Sequence, residues 1–339
     1  MIKNAISQLI KGNDLSDPEM TATINQIMEG NATNAQIASF LTALSIKGET
    51  VEEITAAAKV MREKAITIPV NSNNDLIDIV GTGGDMLNTF NISTAAAFVT
   101  AGTDLKVAKH GNRAASSLCG SADVIEKLGI NINISPDNVA KCIESIGIGF
   151  LFAKNLHLAM KYAAKPRKEI GIKTIFNILG PLTNPADAEI QILGVYSADL
   201  ASKLAQVLKH LGRKKALVVH GCDGLDEIST CGDTLVFELK NEKISETRIS
   251  PQKLGFKLSK ITDLKGGDTD INANIILDLL NGKKSAHRDI VILNAAAAVY
   301  TADKAENLTD AVRIATESID KGKALNKLNA LIELTGRMN

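Results

Sequence analysis

The sequence predicts an α/β protein in two parts: a small N-terminal all-helical domain and a larger domain with a mainly parallel central sheet flanked by helices. Three observations predict it. The first 65 residues carry their apolar side chains at helical spacing only. After them, short near-continuous apolar runs alternate with helical stretches, the mark of parallel strands covered on both faces. The change falls at IPVNSNND (68–75), a polar turn-forming segment. The division expected is therefore residues 1–70 and 71–339, with helices from about 165–185 as candidates to join the first part.

In the helical part, Ile2, Ile6, Leu9 and Ile10 share one face, as do Met20, Ile24, Ile27 and Met28, and then Ile37, Phe40, Leu41 and Leu44. Asp17 before Pro18 signals a helix start, and Thr33 with Gln36 and Thr50 with Glu53 have capping-box spacing. The strands expected are LIDIV (76–80), LKVA (105–108), IGFLF (148–152), EIQILGV (189–195), KALVVH (215–220) and TLVFEL (234–239). STAAAFVTAG (93–102) and ADVIEKLG (122–129) read as helices between them. TLVFELKNEKISETRIS (234–250) alternates polar and apolar residues about a short turn, so it reads as an antiparallel hairpin or edge. From Ile271 onward the chain is helical again, and the alanines of VILNAAAAVY (291–300) suit close helix packing.

Composition narrows the function. Lysines plus arginines number 38 and so do the acids, which leaves no global field for nucleic acid or anionic lipid. Aromatic residues make up 3% and there is no Trp, so no aromatic platform for bases is expected. The four cysteines, Cys119, Cys142, Cys222 and Cys231, form no CxxC pair, which argues against zinc and fits a reducing compartment. The N-terminal stretch is too polar for a signal sequence and no apolar run reaches ~18 residues. A cytoplasmic protein without membrane or nucleic-acid partners is expected.

Ligands of open α/β sheets bind beyond the carboxyl ends of the strands, and unusual residues gather there. GTGGDMLNTFNIST (81–94) follows the first strand. Gly81, Gly83 and Gly84 allow backbone N–H groups to approach an anion, and Ser93 and Thr94 stand at the next helix start. The stretch lacks the Walker lysine and does not match GxGxxG. A tight turn with Asp85 solvated and Ser93 as an ordinary cap is the plain alternative. Asn91 and Ser93 offer oxygens to a hard cation or a phosphate. KHGNRAASS (109–117) reads as a second anion loop, with His110 read as structural. In 153–185, His157 reads as a helical residue at the core edge, Arg167 as part of a solvated charge run, and GPLTNP as a rigid corner. Asp226 and Glu227, adjacent in a glycine-bearing loop, can reach Mg²⁺ or simply be two exposed acids. Two phosphate-type loops and a carboxylate pair after neighbouring strands make each other more meaningful.

GTGGD, NIST, KHGNRAASS, GSADVIEKLG (120–129), FLFA with His157 following, GIKTIFNILGPLTNP (171–185) and GLDEIS, in this order over essentially the whole chain, resemble the anthranilate phosphoribosyltransferase family. GTGGD and the KHG loop also have relatives in pyrimidine nucleoside phosphorylases; the combination with NILGPLTNP and GLDEIS is specific. One departure is Leu158, where the family pattern has proline after the histidine.

The resemblance implies attack of the anthranilate amine on C1 of phosphoribosyl pyrophosphate (PRPP), releasing pyrophosphate, in tryptophan biosynthesis. It implies PRPP contacts at Gly81, Gly83, Gly84, Asp85, Thr89, Asn91, Ser93, Thr94, Lys109, Arg113, Ala115, Ser116, Ser117 and Ser121. Anthranilate contacts fall on Gly81, Asn112, His157 and Arg167, and two Mg²⁺ ions on Ser93, Asp226 and Glu227. His157, Arg167 and Lys109 form the catalytic group, without a general base. A homodimer through the helical domain is implied as well. The alternatives are a pyrimidine nucleoside phosphorylase-like enzyme and a phosphoribosyltransferase for another aromatic amine.

Overall fold

The apolar periodicity of the N-terminus becomes four helices in the computed structural model, which describes residues 1–71, 76–114 and 118–338. These are α1 (Ile2–Ile10), α2 (Asp17–Met28), α3 (Asn34–Lys47) and α4 (Val51–Glu63). Both expected capping boxes form: Gln36 N–H donates to Thr33 Oγ1 and Glu53 N–H to Thr50 Oγ1. The α2 cap is Ser16, one residue before Asp17, because Glu19 reaches back to the Ser16 N–H at 3.0 Å. Glu53, wholly buried, also accepts from Leu15 N–H at 2.9 Å and pairs with Lys47 at 2.7 Å, which ties the α1–α2 loop to α4.

Seven strands follow: β1 (Leu76–Gly81), β2 (Lys106–Gly111), β3 (Ile148–Phe152), β4 (Ile190–Gly194), β5 (Lys215–Gly221), β6 (Thr234–Lys240) and β7 (Lys243–Ile249). β1 to β6 lie where the apolar runs placed them, and β7 is the second half of the expected hairpin. The one notable shift is in β2, which continues through Lys109, His110 and Gly111 by pairing with Phe150, Leu151 and Phe152 of β3. These three residues were expected in the loop. An apolar neighbouring strand supplies their backbone partners, so the strand persists through polar side chains.

The remaining helices are α5 (Ile92–Ala101), α6 (Ser121–Lys127), α7 (Pro136–Ile146), α8 (Ala153–Leu156), α9 (Lys161–Ile170), α10 (Phe176–Leu179) and α11 (Ala198–His210), then α12 (Thr269–Leu280), α13 (Ala286–Thr301), α14 (Leu308–Asp320) and α15 (Lys323–Gly336). The sheet order is β3-β2-β1-β4-β5-β6-β7, parallel from β3 to β5, with β6 and β7 antiparallel at the edge. Alternate side chains leave on opposite faces. Ile190 and Ile192 join a core formed with α5, α13 and α15, where Ala295 to Ala298 allow close approach. Leu193 faces the other way, into a core shared with α11, α4 and the rest of the N-terminal helices. After β3 the chain returns to those helices, α9 lying against α2 and α3 and α10 against α4. No helix among the described residues is long and apolar enough to cross a membrane.

The order places β1 beside both β2 and β4, so the chain reverses its winding direction between β1 and β4. That switch point opens a crevice at the carboxyl ends of these strands.

Candidate active site

Gly81 ends β1 and Gly194 ends β4, and the two are paired at the switch point. The loop after β5 crosses directly over them. A Cβ on Gly194 would overlap the Asp226 carbonyl oxygen, with its carbon 2.5 Å away, and a Cβ on Gly81 would meet Asp226 Oδ2 at 2.5 Å. Gly81, expected to make room for a ligand, thus first makes room for Asp226. Gly83 and Gly84 are needed for a different reason: they take φ of 66° and 81°, the left-handed region that side chains disfavour. Gly83 N–H donates to Asp226 Oδ2 at 2.7 Å, and Lys173 Nζ donates to Gly84 O at 2.7 Å while lying over the Tyr196 ring at 3.7 Å. Asp85 accepts from Leu87 N–H at 3.1 Å, and its other oxygen is buried without a donor beside Asp226. Acid, lysine and local turn together hold the glycine loop in shape.

Glu227 Oε1 accepts from Ser93 N–H at 3.2 Å, so this acid sits on the first turn of α5. Burial, then the Asp85 carboxylate, pushes Asp226 up to about 7. Burial, then Asp226, pushes Glu227 well above the usual carboxylate range. Lys109 is buried too, donating to His110 O at 3.2 Å; burial pulls its pKa down, with Asp78, Glu227 and Asp226 acting against it. Asp226 and Glu227 repel each other and Asp85 and share the single Lys109 ammonium, so the site is short of positive charge, which a bound cation would relieve. The donors are oxygens, suited to a hard ion. Among the described residues no three His, Cys, Asp or Glu side chains converge on one point. Asp226 and Glu227 remain as a pair of neighbouring carboxylates, the number Mg²⁺ takes from a protein when waters and phosphate oxygens complete its shell. Thr94 Oγ1, buried on the same turn, has no hydrogen-bond partner among the described residues.

The second loop is laced to α6. Asn112 N–H donates to Ser121 Oγ at 3.1 Å, and Ser121 Oγ donates to Asn112 O at 3.2 Å. Asp123 accepts from Ala114 N–H at 3.0 Å and Gly120 N–H at 2.9 Å. The Arg113 guanidinium pairs with Asp123 at 2.9 Å and Glu126 at 2.6 Å and lies 5.4 Å from the Phe152 ring centre. It reaches an anion only by sharing those carboxylates. Ala115, Ser116 and Ser117 lie outside the described residues. Thr89 forms a β-bridge with Lys265.

His110 and His157 come together with ring centres 5.1 Å apart. One ring nitrogen of each bonds a backbone group of the 180–183 turn, Gly180 for His110 and Thr183 for His157. The Nε2 atom of each is buried without a partner among the described residues. Burial pushes His157 down to about 4, and burial followed by His157 pushes His110 well below its ordinary value. Both rings are therefore neutral near pH 7. His157 is not on a helix as expected; it links α8 to a short 3-10 turn (Leu158–Met160) that Leu158 opens in place of proline. Arg167 on α9 departs from its charge run as well. It is partly buried, its guanidinium 5.5 Å from the Phe176 ring centre, and no carboxylate pairs with it among the described residues. Burial lowers its pKa, the sign of a cation waiting for a counter-ion.

One segment connects these parts. Residues 171–185 hold Gly84 through Lys173, Arg167 through Phe176, His110 through Gly180 and His157 through Thr183. The GPLTNP corner, expected to be merely rigid, is the anchor of both histidines. Asp78 was also missed: wholly buried on β1, it accepts from His110 N–H at 3.3 Å. An acid inside the apolar run LIDIV was the available signal. A cavity of about 550 Å³ lined by Asp14, Asp17, Glu52, Lys59 and His210 shares no residue with this cluster.

Comparisons with known proteins agree with this geometry. Residues 3–65 match the helical bundle domain, and residues 73–325 the a/b domain, of a glycosyl transferase family. The chain is 53% identical over 335 residues to the anthranilate phosphoribosyltransferase of Desulforamulus reducens, covering 99% of this chain and 97% of that one. It is similar to the crystal structure of anthranilate phosphoribosyltransferase from Thermus thermophilus, with a TM-score of 0.92 and 40% identity over 98% of this chain and 99% of that one. The Saccharomyces cerevisiae anthranilate phosphoribosyltransferase in complex with PRPP and Mg superposes with a TM-score of 0.92 at 30% identity, covering 99% of this chain and 98% of that one.

Proposed function

We infer the division of labour in this site from one premise: the chain belongs to the anthranilate phosphoribosyltransferase family. It transfers the phosphoribosyl group of PRPP to the amine of anthranilate, releasing pyrophosphate, a step of tryptophan biosynthesis, and it binds Mg²⁺. The observation that carries the residue roles is the crowded acid cluster folded onto the glycine loop at the switch point.

Displacement at C1 of PRPP builds positive charge on the ribose and negative charge on the departing pyrophosphate. The protein has to hold both ends, neutralise the leaving group and aim the amine. With Gly83 N–H and Ser93 N–H already held by Asp226 and Glu227, the Gly84 N–H and the Ser93 and Thr94 hydroxyls at the start of α5 receive phosphate oxygens, and Lys109 adds a buried positive charge. Ser93, Asp226 and Glu227 would hold two Mg²⁺ ions. Bound there, Mg²⁺ supplies charge neutralisation on the pyrophosphate. Thr89, Asn91, Arg113 and Ser121 complete the PRPP side as its walls.

Arg167 and Asn112 receive anthranilate, the guanidinium taking the carboxylate as its missing counter-ion. His157 lines the approach of the amine. With its other ring nitrogen donating to the Thr183 backbone, Nε2 carries a lone pair and accepts an N–H of the amine. The amine nitrogen then bonds C1 as the C1–oxygen bond breaks, the electron pair leaves with pyrophosphate, and the proton shed by the acidic anilinium nitrogen passes to the departing pyrophosphate or to solvent. Neutral imidazoles orient here better than they deprotonate, so no general base is assigned.

Arg167→Ala tests the division. The KM for anthranilate should rise roughly 10- to 150-fold, the worth of a charge-assisted bond at about 1.5–3 kcal/mol, with PRPP binding nearly intact. Equal losses for both substrates would rule the assignment out.

The helical domain carries exposed Ile10 and Ile46, the latter 81% exposed, which supports a homodimer through this face. Light scattering should return twice the chain mass, and a clean monomer at high concentration contradicts it. The cytoplasm is the compartment this reading assigns; activity recovered with the membrane fraction of a lysate would speak against it.

A further inference from the structure

Asn91 occupies the N-cap of α5, yet its side chain does not cap that helix. Its Oδ1 accepts from Asn272 Nδ2 at 3.0 Å, and its Nδ2 donates to Cys119 O at 3.2 Å. Asn272, 2% exposed in the first turn of α12, accepts from Gly267 N–H at 2.8 Å through its own Oδ1. An N–H can only donate, so Asn272 must face Gly267 with its oxygen. Its amino group is then fixed toward Asn91, Asn91 must answer with oxygen, and the Asn91 amino group is left facing the Cys119 carbonyl. One backbone N–H thereby sets the orientation of two side-chain amides in series.

The segment around Asn272 is firmly seated. Gly266 N–H donates to Asn88 O at 3.0 Å and Phe90 N–H to Leu264 O at 3.2 Å, on either side of the Thr89–Lys265 bridge. A Cβ on Gly266 would meet Asn272 Oδ1 at 2.5 Å and Phe90 Cα at 2.7 Å. Residues 264–272 are thus a rail along residues 88–91, the half of the glycine loop that feeds α5. Among the described residues, one N–H of the Asn91 amide stays uncommitted at the start of the turn that carries Ser93 and Thr94.

We propose that Asn272 is a positioning residue for PRPP binding, acting through Asn91: it holds the Asn91 amide so that the uncommitted N–H is offered to the substrate. This rests on the reading of Asn91 as a PRPP contact. Asn272→Asp is the discriminating variant, because the carboxylate still accepts from Gly267 N–H but cannot donate to Asn91.

The test is a cycle of steady-state KM values with full-length enzyme and Mg²⁺, for wild type, Asn91→Ala, Asn272→Asp and the double variant. Asn272→Asp should raise the PRPP KM about tenfold, one hydrogen bond's worth, and leave the anthranilate KM within about twofold. In the Asn91→Ala background the same change should add less than about twofold, since residues acting in series are not additive. A wild-type PRPP KM for Asn272→Asp, with Asn91→Ala impaired, overturns the inference alone. An equal rise in both backgrounds also overturns it, because the new charge then acts directly. If Asn91→Ala itself binds PRPP normally, the reading of Asn91 fails and the inference with it. Should circular dichroism find Asn272→Asp unfolded, Asn272→Ala enters the same cycle.

Discussion

Converting Asp226 and Glu227 together to Asn and Gln should lower kcat/KM by on the order of 10³-fold while leaving the fold intact. The amides keep the shape of the acids and an oxygen that can accept from Gly83 N–H and Ser93 N–H, the two bonds that pin the glycine loop and the start of α5. What disappears is charge. Asp226 and Glu227 repel each other and the neighbouring Asp85, so the neutral variant should unfold at the same temperature as wild type or a higher one. Loss of turnover with undiminished stability separates a site for a cation from a structural knot. Alanine at both positions should lose the same activity and some stability, because the two N–H groups lose their acceptor. If the Asn/Gln variant kept the wild-type rate and Mg²⁺ dependence, the metal assignment would be wrong.

Gly194→Ala should be nearly as damaging, from a residue that touches no substrate. Its Cβ would overlap the Asp226 carbonyl. Gly194 is paired with Gly81 on one side and Val219 on the other, so the strand cannot give way. Relief must come from lifting the 225–228 loop, which carries both acids away from the glycine turn. A loss of roughly 10²-fold in kcat/KM is expected for a displacement of about 1 Å, with an overpacking cost of about 1–3 kcal/mol. Gly83→Ala is the internal comparison. Nothing lies within 4 Å of its added Cβ, and its left-handed φ costs only about 1–2 kcal/mol. Chemical unfolding and kinetics of the two variants side by side check this; an active, stable Gly194→Ala enzyme would contradict the account of how Asp226 is seated.

Gly194 also illustrates where the sequence stops being legible. The parallel strands were readable because each is largely a run of apolar residues buried on both faces, the edge hairpin because its residues alternate, and the helix starts because caps act over three residues. Ser93, Asp226 and Glu227 were legible as candidates because motifs after strands are local too. Gly194 and Lys173 act across the fold: a glycine in EIQILGV has no visible partner until the β5 loop is seen to cross it. Arg167 looked like one more solvated cation in KYAAKPRKEI, and only burial against Phe176 without a carboxylate sets it apart. His110 and His157, far apart in the chain, become a pair because the 180–183 turn bonds both rings. The rail at 264–272 had no signature at all, since a Gly-Gly-Asp before a helix is ordinary turn chemistry.

The most direct measurement is to mix the purified protein with PRPP, Mg²⁺ and anthranilate and to follow the loss of anthranilate fluorescence, with EDTA added in a parallel sample. The account predicts a decay that requires PRPP and stops with EDTA. A steady signal from protein that demonstrably binds PRPP would contradict it, and would point to another amine acceptor or to phosphorolysis on the same loops.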